Sequence, residues 1–137
     1  MSLKIPDVSQ LTLLDLLRSS LNGASLKVRL FKNNYTPVAG SVIASFTEAN
    51  FSGYAAGNLG TLAAATTVSG KASTTAGTSN TWTKSGATGN DVYGYYITDS
   101  GGTVLYWAER GGAAPYSLNT NGEGLSVTPV LTLASEF

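Results

Sequence analysis

Residues 92–110, VYGYYITDSGGTVLYWAER, constrain the fold more than any other stretch of the chain. Two runs rich in aromatic and β-branched residues flank Asp99-Ser100-Gly101-Gly102, whose residue types tolerate the backbone conformations of a tight turn. The stretch is therefore predicted to be a β-hairpin. Apolar side chains fall on both faces of each strand, whereas a hairpin with one solvated face would alternate apolar and polar residues.

The two faces of the hairpin follow from the alternation of side chains along a strand. On the first strand, one face carries Tyr93, Tyr95 and Ile97, and the other carries Val92, Gly94 and Tyr96. On the return strand, Leu105, Trp107 and Glu109 lie opposite Val104, Tyr106, Ala108 and Arg110. One face is expected in a core between two sheets, and the other beneath further structure. A second copy of the chain is the preferred cover for that second face, and the N-terminal helix is the alternative.

The segment DVSQLTLLDLLRSSLNGAS, near the N-terminus, has helical periodicity. Leucines at positions 11, 14, 17 and 21 recur at spacings of three and four, with Leu13 and Leu16 beside them. Asp7 or Ser9 is predicted to cap the helix start, and Asn22-Gly23 to end it with the glycine in the left-handed conformation. The apolar stripe either packs on the chain's own sheet or docks on a neighbouring subunit. In the second case residues 1–24 are an N-terminal helical arm, and residues 25–137 are a β-sandwich domain.

Short apolar runs separated by turn residues fill the rest of the chain. Residues 26–31 alternate as a half-buried strand does. Residues 57–90 are almost entirely Gly, Ala, Ser, Thr and Asn, and they predict two exposed strands with long turns, with a flexible loop or an outward-facing recognition surface as the alternative. Pro129 lacks a backbone donor, so the last strand is expected at a sheet edge or with a bulge. The predicted fold is mainly β: a β-sandwich or flattened barrel of about seven or eight short antiparallel strands, with one N-terminal helix.

Composition excludes several kinds of chemistry. The chain of 137 residues has no Cys and no His, which excludes thiol nucleophiles, histidine bases, disulfides and Cys/His zinc sites. Eight basic and eight acidic residues give a formal net charge of zero, so no electrostatic footprint for nucleic acid or an anionic membrane is expected. Asp15 and Arg18 interrupt the leucine-rich segment, so we expect neither a signal peptide nor a membrane span. Glu109 and Arg110 are expected to form a strand-end ion pair or an interface contact. We expect no enzyme activity and no cofactor.

Three segments resemble, in order, small structural proteins of tailed bacteriophages: LKVRLFKNNYTPVAGSVIASFTEANFSGY, VYGYYITDSGGTVLYWAER and LSVTPVLTLASEF. The resemblance covers roughly residues 26–54 and 92–137 and leaves out the Gly/Ala/Thr-rich middle. It implies a non-enzymatic capsid decoration (cement) protein of the virion, assembled in the host cytoplasm and bound to the major capsid protein. It also implies a homo-oligomer, with a trimer favoured. Because some similar proteins belong to the tail, a tail-fibre or receptor-binding module is the alternative.

The candidate interface, with another copy or with the shell, combines apolar helix residues with residues of the hairpin. Its members are Leu11, Leu14, Leu17, Tyr93, Tyr95, Tyr106, Trp107 and Arg110. A carbohydrate-binding β-sandwich is a further alternative, because Tyr93, Tyr95 and Trp107 would stack on a sugar if their face were open. If that face is covered, the same aromatic residues form the core.

Overall fold

The computed structural model describes residues 5–68 and 71–133. Within these ranges the chain forms one α-helix and eleven strands, so the prediction of a mainly β fold with an N-terminal helix is confirmed. The helix α1 is Asp7–Asn22. The strands are β1 (Lys27–Phe31), β2 (Gly57–Asn58), β3 (Thr66–Val68), β4 (Lys71–Thr75), β5 (Asn80–Thr83), β6 (Asn90–Val92), β7 (Gly94–Thr98), β8 (Leu105–Arg110), β9 (Tyr116–Leu118), β10 (Gly124–Val127) and β11 (Val130–Thr132).

These strands form small antiparallel sheets around one core. A four-stranded sheet has the order β2-β1-β7-β8, and a three-stranded sheet has the order β11-β4-β3. Two further pairs, β10-β5 and β6-β9, complete the described strands. The largest core cluster includes Ile97 of the first sheet, Trp82 of β5 and Leu118 of β9, and Leu131 of β11 packs against it. Sheets that share a core in this way give the sandwich-like arrangement expected from the sequence.

The strand count exceeds the prediction of seven or eight because two predicted strands are interrupted and because short strands such as β2 and β9 were not predicted. The first strand of the hairpin is divided at Tyr93 into β6 and β7, and the last strand is divided at Thr128 and Pro129 into β10 and β11. Pro129 has no backbone N–H for a sheet ladder, and β11 lies at the edge of its sheet, as predicted. Residues 57–90 hold β2 to β5 and the start of β6 where two strands were expected.

Helix α1 lies against β3 and β4 of its own chain. Leu14 is fully buried there, and Leu21 belongs to the central core. The end of the helix is fastened by Asn22, whose Nδ2 donates to the Leu62 carbonyl oxygen at 3.3 Å and whose Oδ1 accepts from the Leu62 N–H at 2.8 Å. The helix therefore packs on the chain's own sheet, while the division into an arm (1–24) and a body (25–137) stays a prediction.

The predicted end of α1 at Asn22-Gly23 is confirmed, but the predicted N-cap and the predicted left-handed conformation of Gly23 are wrong. Pro6 precedes the first helical residue, and no side-chain cap hydrogen bond forms there. Pro6 has its φ fixed by its ring and suits a helix start without a capping side chain. At the other end Gly23 has a φ of −86°, and the left-handed conformation falls instead at Ser25, with a φ of 50°.

The second face of the hairpin is covered by the chain's own connection between β1 and β2. Phe46 of this connection stacks on Tyr96 with ring centroids 4.9 Å apart, and its ring lies 5.1 Å from that of Phe31. Tyr35 meets Phe46 edge-on at 5.4 Å. Tyr96 is only 3% exposed as a result. The expectation that a second copy or helix α1 covers this face is therefore wrong, because an aromatic side chain distant in sequence already fills the place.

Candidate interaction surface

The eight candidate interface residues do not share one surface. Leu14 and Tyr95 are buried, Leu11, Tyr93, Trp107 and Arg110 are half-buried, and Leu17 and Tyr106 are exposed. Helical periodicity identifies a stripe but cannot say which of its edges meets the body. The strand alternation likewise leaves open which residues point into the core. The exposed surfaces are therefore best described from the structure, one element at a time.

The outer side of α1 carries an apolar surface, which we call the helix face: Leu13, Leu16 and Leu17. These side chains are 47%, 66% and 40% exposed. At 100° per residue they occupy an arc of about 100°, in which Leu16 lies about 160° from buried Leu14 and Leu17 about 60° from it. Asp15 is directed elsewhere, because its Oδ1 accepts from Arg18 at 2.8 Å and from the Ala65 N–H of the body at 3.2 Å. The helix face is therefore apolar and free of charge, and two of its three members were missed in the sequence prediction.

The inner face of the hairpin holds a chain of hydrogen bonds centred on Tyr95. Its hydroxyl donates to Glu109 Oε2 at 2.7 Å and accepts from the Val130 N–H at 3.3 Å. Burial raises the pKa of the Tyr95 hydroxyl, and the neighbouring Glu109 carboxylate raises it further. This arrangement fastens β11 to β7 and β8. Tyr95 therefore acts as an internal connection between sheets and not as a docking residue.

Residues on the other face of the hairpin contact the connection between β1 and β2, residues 32–56, which we call the covering segment. The guanidinium of Arg110 lies over the Tyr93 ring, 5.1 Å from its centroid, and Nη1 donates to the Tyr35 carbonyl oxygen at 3.1 Å. The expected ion pair between Glu109 and Arg110 does not form within the described residues, because neighbours along a strand point to opposite faces. The sugar platform of the carbohydrate-binding alternative is not formed either, since Tyr93, Tyr95 and Trp107 share no open face.

The edge of β8 is the second exposed apolar feature. Among the described strands, β8 ends its sheet, and its pairing with β7 shifts register between Ile97 and Thr98. Tyr106 is the extra residue of this bulge and is 41% exposed. Shallow clefts of about 390 Å³ and 330 Å³ lie on the two sides of the strand, the first lined by Val38 and Tyr106 and the second by Trp107 and Val130. An edge strand with unpaired backbone groups invites pairing with another chain.

A network of polar side chains connects β1 to the covering segment. Arg29 Nη1 donates to both carboxylate oxygens of Glu48 at 2.9 Å, and the Tyr54 hydroxyl donates to Glu48 Oε1 at 2.8 Å. Burial raises the pKa of Tyr96 to about 12, and the nearby Glu48 charge contributes. Burial also raises the pKa of Tyr54. These groups hold the covering segment against the sheet and leave the hydroxyls protonated at neutral pH.

Comparisons with known proteins leave the chain without a family assignment. No protein-family model matches it, and no match is found among curated proteins or solved structures. In the part of the chain that the structure describes, no three acidic side chains come together as a metal site. No described helix has the length and apolarity needed to cross a membrane.

Proposed function

We propose that this chain is a non-enzymatic structural protein of a phage virion, a capsid decoration protein that docks on and stabilises the assembled shell. The proposal starts from the resemblance of three sequence segments to small structural proteins of tailed phages. The structure supports it with one observation: helix α1 carries an apolar, uncharged exposed face. The helix face is the observation on which the proposal depends, because a solvent-exposed leucine cluster is a typical protein-protein contact.

The size of the helix face fits a contact that depends on assembly. Full burial of one leucine side chain is worth about 1.5–3 kcal/mol, so three partly exposed leucines supply a binding energy of a few kcal/mol. That energy is modest for a single site. A protein that binds only the assembled shell stabilises it by mass action, and many equivalent sites repeat the gain. The partner is expected to be the major capsid protein.

The experiment compares shell binding by the wild type and the double variant Leu16→Ser/Leu17→Ser. Purified shells without this protein are mixed with each chain and separated by sedimentation. We expect the double variant to lose at least tenfold in affinity while its melting temperature stays near that of the wild type, because both side chains are already exposed. The matched control is Val8→Ser, a position that is 76% exposed and lies off the helix face. Unchanged binding by the double variant would overturn the proposal for this face.

Self-association is the second part of the proposal, with the trimer as the expected state. The exposed edge of β8 supports it, because Tyr106 is exposed there and shares a cleft with the exposed Val38. Tyr106→Lys places a charge on this edge without disturbing the core. We expect the native mass to fall from that of an oligomer to that of a monomer, with folding unchanged, and Tyr106→Phe to behave as wild type. A monomeric wild-type chain would contradict this part.

A further inference from the structure

Lys84 is a buried lysine, only 3% exposed. Its Nζ donates to the Gly86 carbonyl oxygen and, at 2.9 Å, to the side-chain oxygen of Asn121. Both acceptors are neutral, and within the described residues its ammonium forms no ion pair. Removing an ammonium group from water without a paired charge is costly. Two neutral acceptors therefore hold the Lys84 ammonium in direct contact with the side-chain amide of Asn121.

Strand pairing brings the two side chains together. Gly124 of β10 is paired with Thr83 of β5, and the ladder continues through the Lys84 N–H, which donates to the Glu123 carbonyl oxygen at 2.8 Å. The Gly122 N–H in turn donates to the Lys84 carbonyl oxygen at 3.0 Å. The turn that holds Asn121 is thereby fixed over Lys84 by backbone hydrogen bonds. The approach of the amine to the amide is built into the fold and does not depend on a mobile loop.

The carbonyl of the Asn121 side chain is polarised by two donors. Its Oδ1 accepts from the Gly86 backbone N–H at 2.9 Å in addition to the bond from Lys84. A backbone N–H that points at a carbonyl oxygen stabilises the negative charge that develops there when a nucleophile adds to the carbon. Gly86 therefore provides the oxyanion contact that acyl transfer to Lys84 requires.

A carboxylate helps to hold the turn that carries Asn121. Glu123 Oε2 accepts from the Thr120 N–H at 2.6 Å and from the Asn119 N–H at 2.7 Å. These backbone bonds hold the pKa of Glu123 below its usual range, and the positive charge of Lys84 contributes to the lowering. Glu123 is therefore ionised and keeps the turn in place, while within the described residues it forms no ion pair with Lys84.

We propose that Lys84 and Asn121 become joined by an intramolecular isopeptide bond. The Lys84 ammonium gives a proton to solvent, which reaches the exposed Asn121 side chain, and the neutral amine adds to Cγ of Asn121 while the Gly86 N–H holds the oxyanion. The tetrahedral intermediate then collapses: the bond from Cγ to Nδ2 breaks, and Nδ2 takes one proton from the former amine and leaves. The products are a secondary amide between the two side chains and one free ammonia. The step needs neither an oxidant nor a cofactor, and it happens once per chain.

A competing reaction of the same asparagine is held back by the fold. In an Asn-Gly sequence the backbone nitrogen of the glycine can attack the asparagine side chain and form a succinimide, which also releases ammonia. Here the Gly122 nitrogen donates its hydrogen to the Lys84 carbonyl oxygen, so it is engaged elsewhere. The Lys84 amine is in direct contact with the amide. The geometry therefore favours the cross-link over the succinimide.

The first test is the mass of the purified, denatured wild-type chain. We expect it to fall short of the sequence mass by one ammonia. Trypsin should fail to cut after Lys84, and the digest should contain one branched peptide that joins the Lys84 and Asn121 segments. A full sequence mass in fully folded, aged protein would overturn the proposal. Loss of ammonia with normal cleavage at Lys84 would also overturn it, because that pattern belongs to the succinimide.

Variants test the two side chains that the bond would join. Lys84→Met and Asn121→Ala should show the full sequence mass, whereas Lys71→Met, which alters an exposed lysine of β4, should still lose ammonia. Loss of ammonia in Lys84→Met would overturn the proposal, because the amine that forms the bond would then be absent. None of these measurements depends on shell docking, so this inference and the proposed function are tested separately.

Discussion

The buried tyrosines Tyr54, Tyr95 and Tyr96 are expected to make the free energy of unfolding depend on pH in alkaline solution. A tyrosine in an unfolded chain ionises near pH 10, and the fold raises the pKa of Tyr54, Tyr95 and Tyr96, the last to about 12. A raised pKa means that the folded state holds the proton more tightly than the unfolded state does. Its contribution to stability is therefore complete below about pH 10 and is lost as the pH rises through the folded values.

We expect the free energy of unfolding to be level from neutral pH to about pH 10 and to fall between about pH 10 and 12. Denaturant titrations at a series of pH values measure it. Tyr96→Phe removes one of the ionising groups, so its stability should fall less steeply over that range. A wild-type curve that stays level up to pH 12 would contradict the burial of these hydroxyls.

The identity of a buried residue was predictable only where the sequence pattern is local. The alternation in residues 26–31 indicates that Val28 and Leu30 face the core, and both are fully buried. Lys84 shows the opposite case. It follows a short polar strand and reads as a surface residue, yet the pairing of β5 with β10 buries it under the turn around Asn121. That pairing joins positions about forty residues apart, and no local sequence pattern predicts it.

At the scale of elements, the covering segment between β1 and β2 buries the second face of the hairpin. Phe46 is 7% exposed and contacts Phe31, Tyr35 and Tyr96. Phe46→Ala is expected to destabilise the protein by about 3–5 kcal/mol, since it removes a buried ring and leaves a cavity. Val42→Ala, in the same segment but 59% exposed, should change stability by less than about 0.5 kcal/mol.

Chemical denaturation of both variants measures the difference. Equal stabilities for Phe46→Ala and wild type would mean that something other than this segment covers the hairpin. Dissociation of an oligomer by Phe46→Ala, without loss of monomer stability, would restore the prediction of a second copy over the face.

Helix α1 and the hairpin were predictable as elements because their periods of 3.6 and 2 are visible in short stretches. The cover of the hairpin was not, because a single Phe46 in the run SVIASF carries no period. The neighbours of α1 were left open for the same reason: the leucines surround more than half of the helix, and only the structure separates buried Leu14 from exposed Leu13 and Leu16. Strand β9 was missed because turn residues surround its three members.

At the scale of the whole molecule, a small β body with one apolar helix face fits a part of a larger assembly. The core shared by the sheets, the connection through Tyr95 and the proposed cross-link at Lys84 all lie inside the body. We propose the helix face and the edge of β8 as the surfaces that meet partners. We infer that the body provides durability and that these two surfaces provide attachment.

Copy number in purified particles tests the proposed function most directly. The quantity is the molar ratio of this chain to the major capsid protein in particles of a phage whose genome encodes it, measured by quantitative mass spectrometry. The account predicts a ratio near one, or a fixed sizeable fraction of it, as a decoration protein requires. A few copies per particle would assign the chain to the tail or to a vertex, and complete absence from the particles would contradict a virion role altogether.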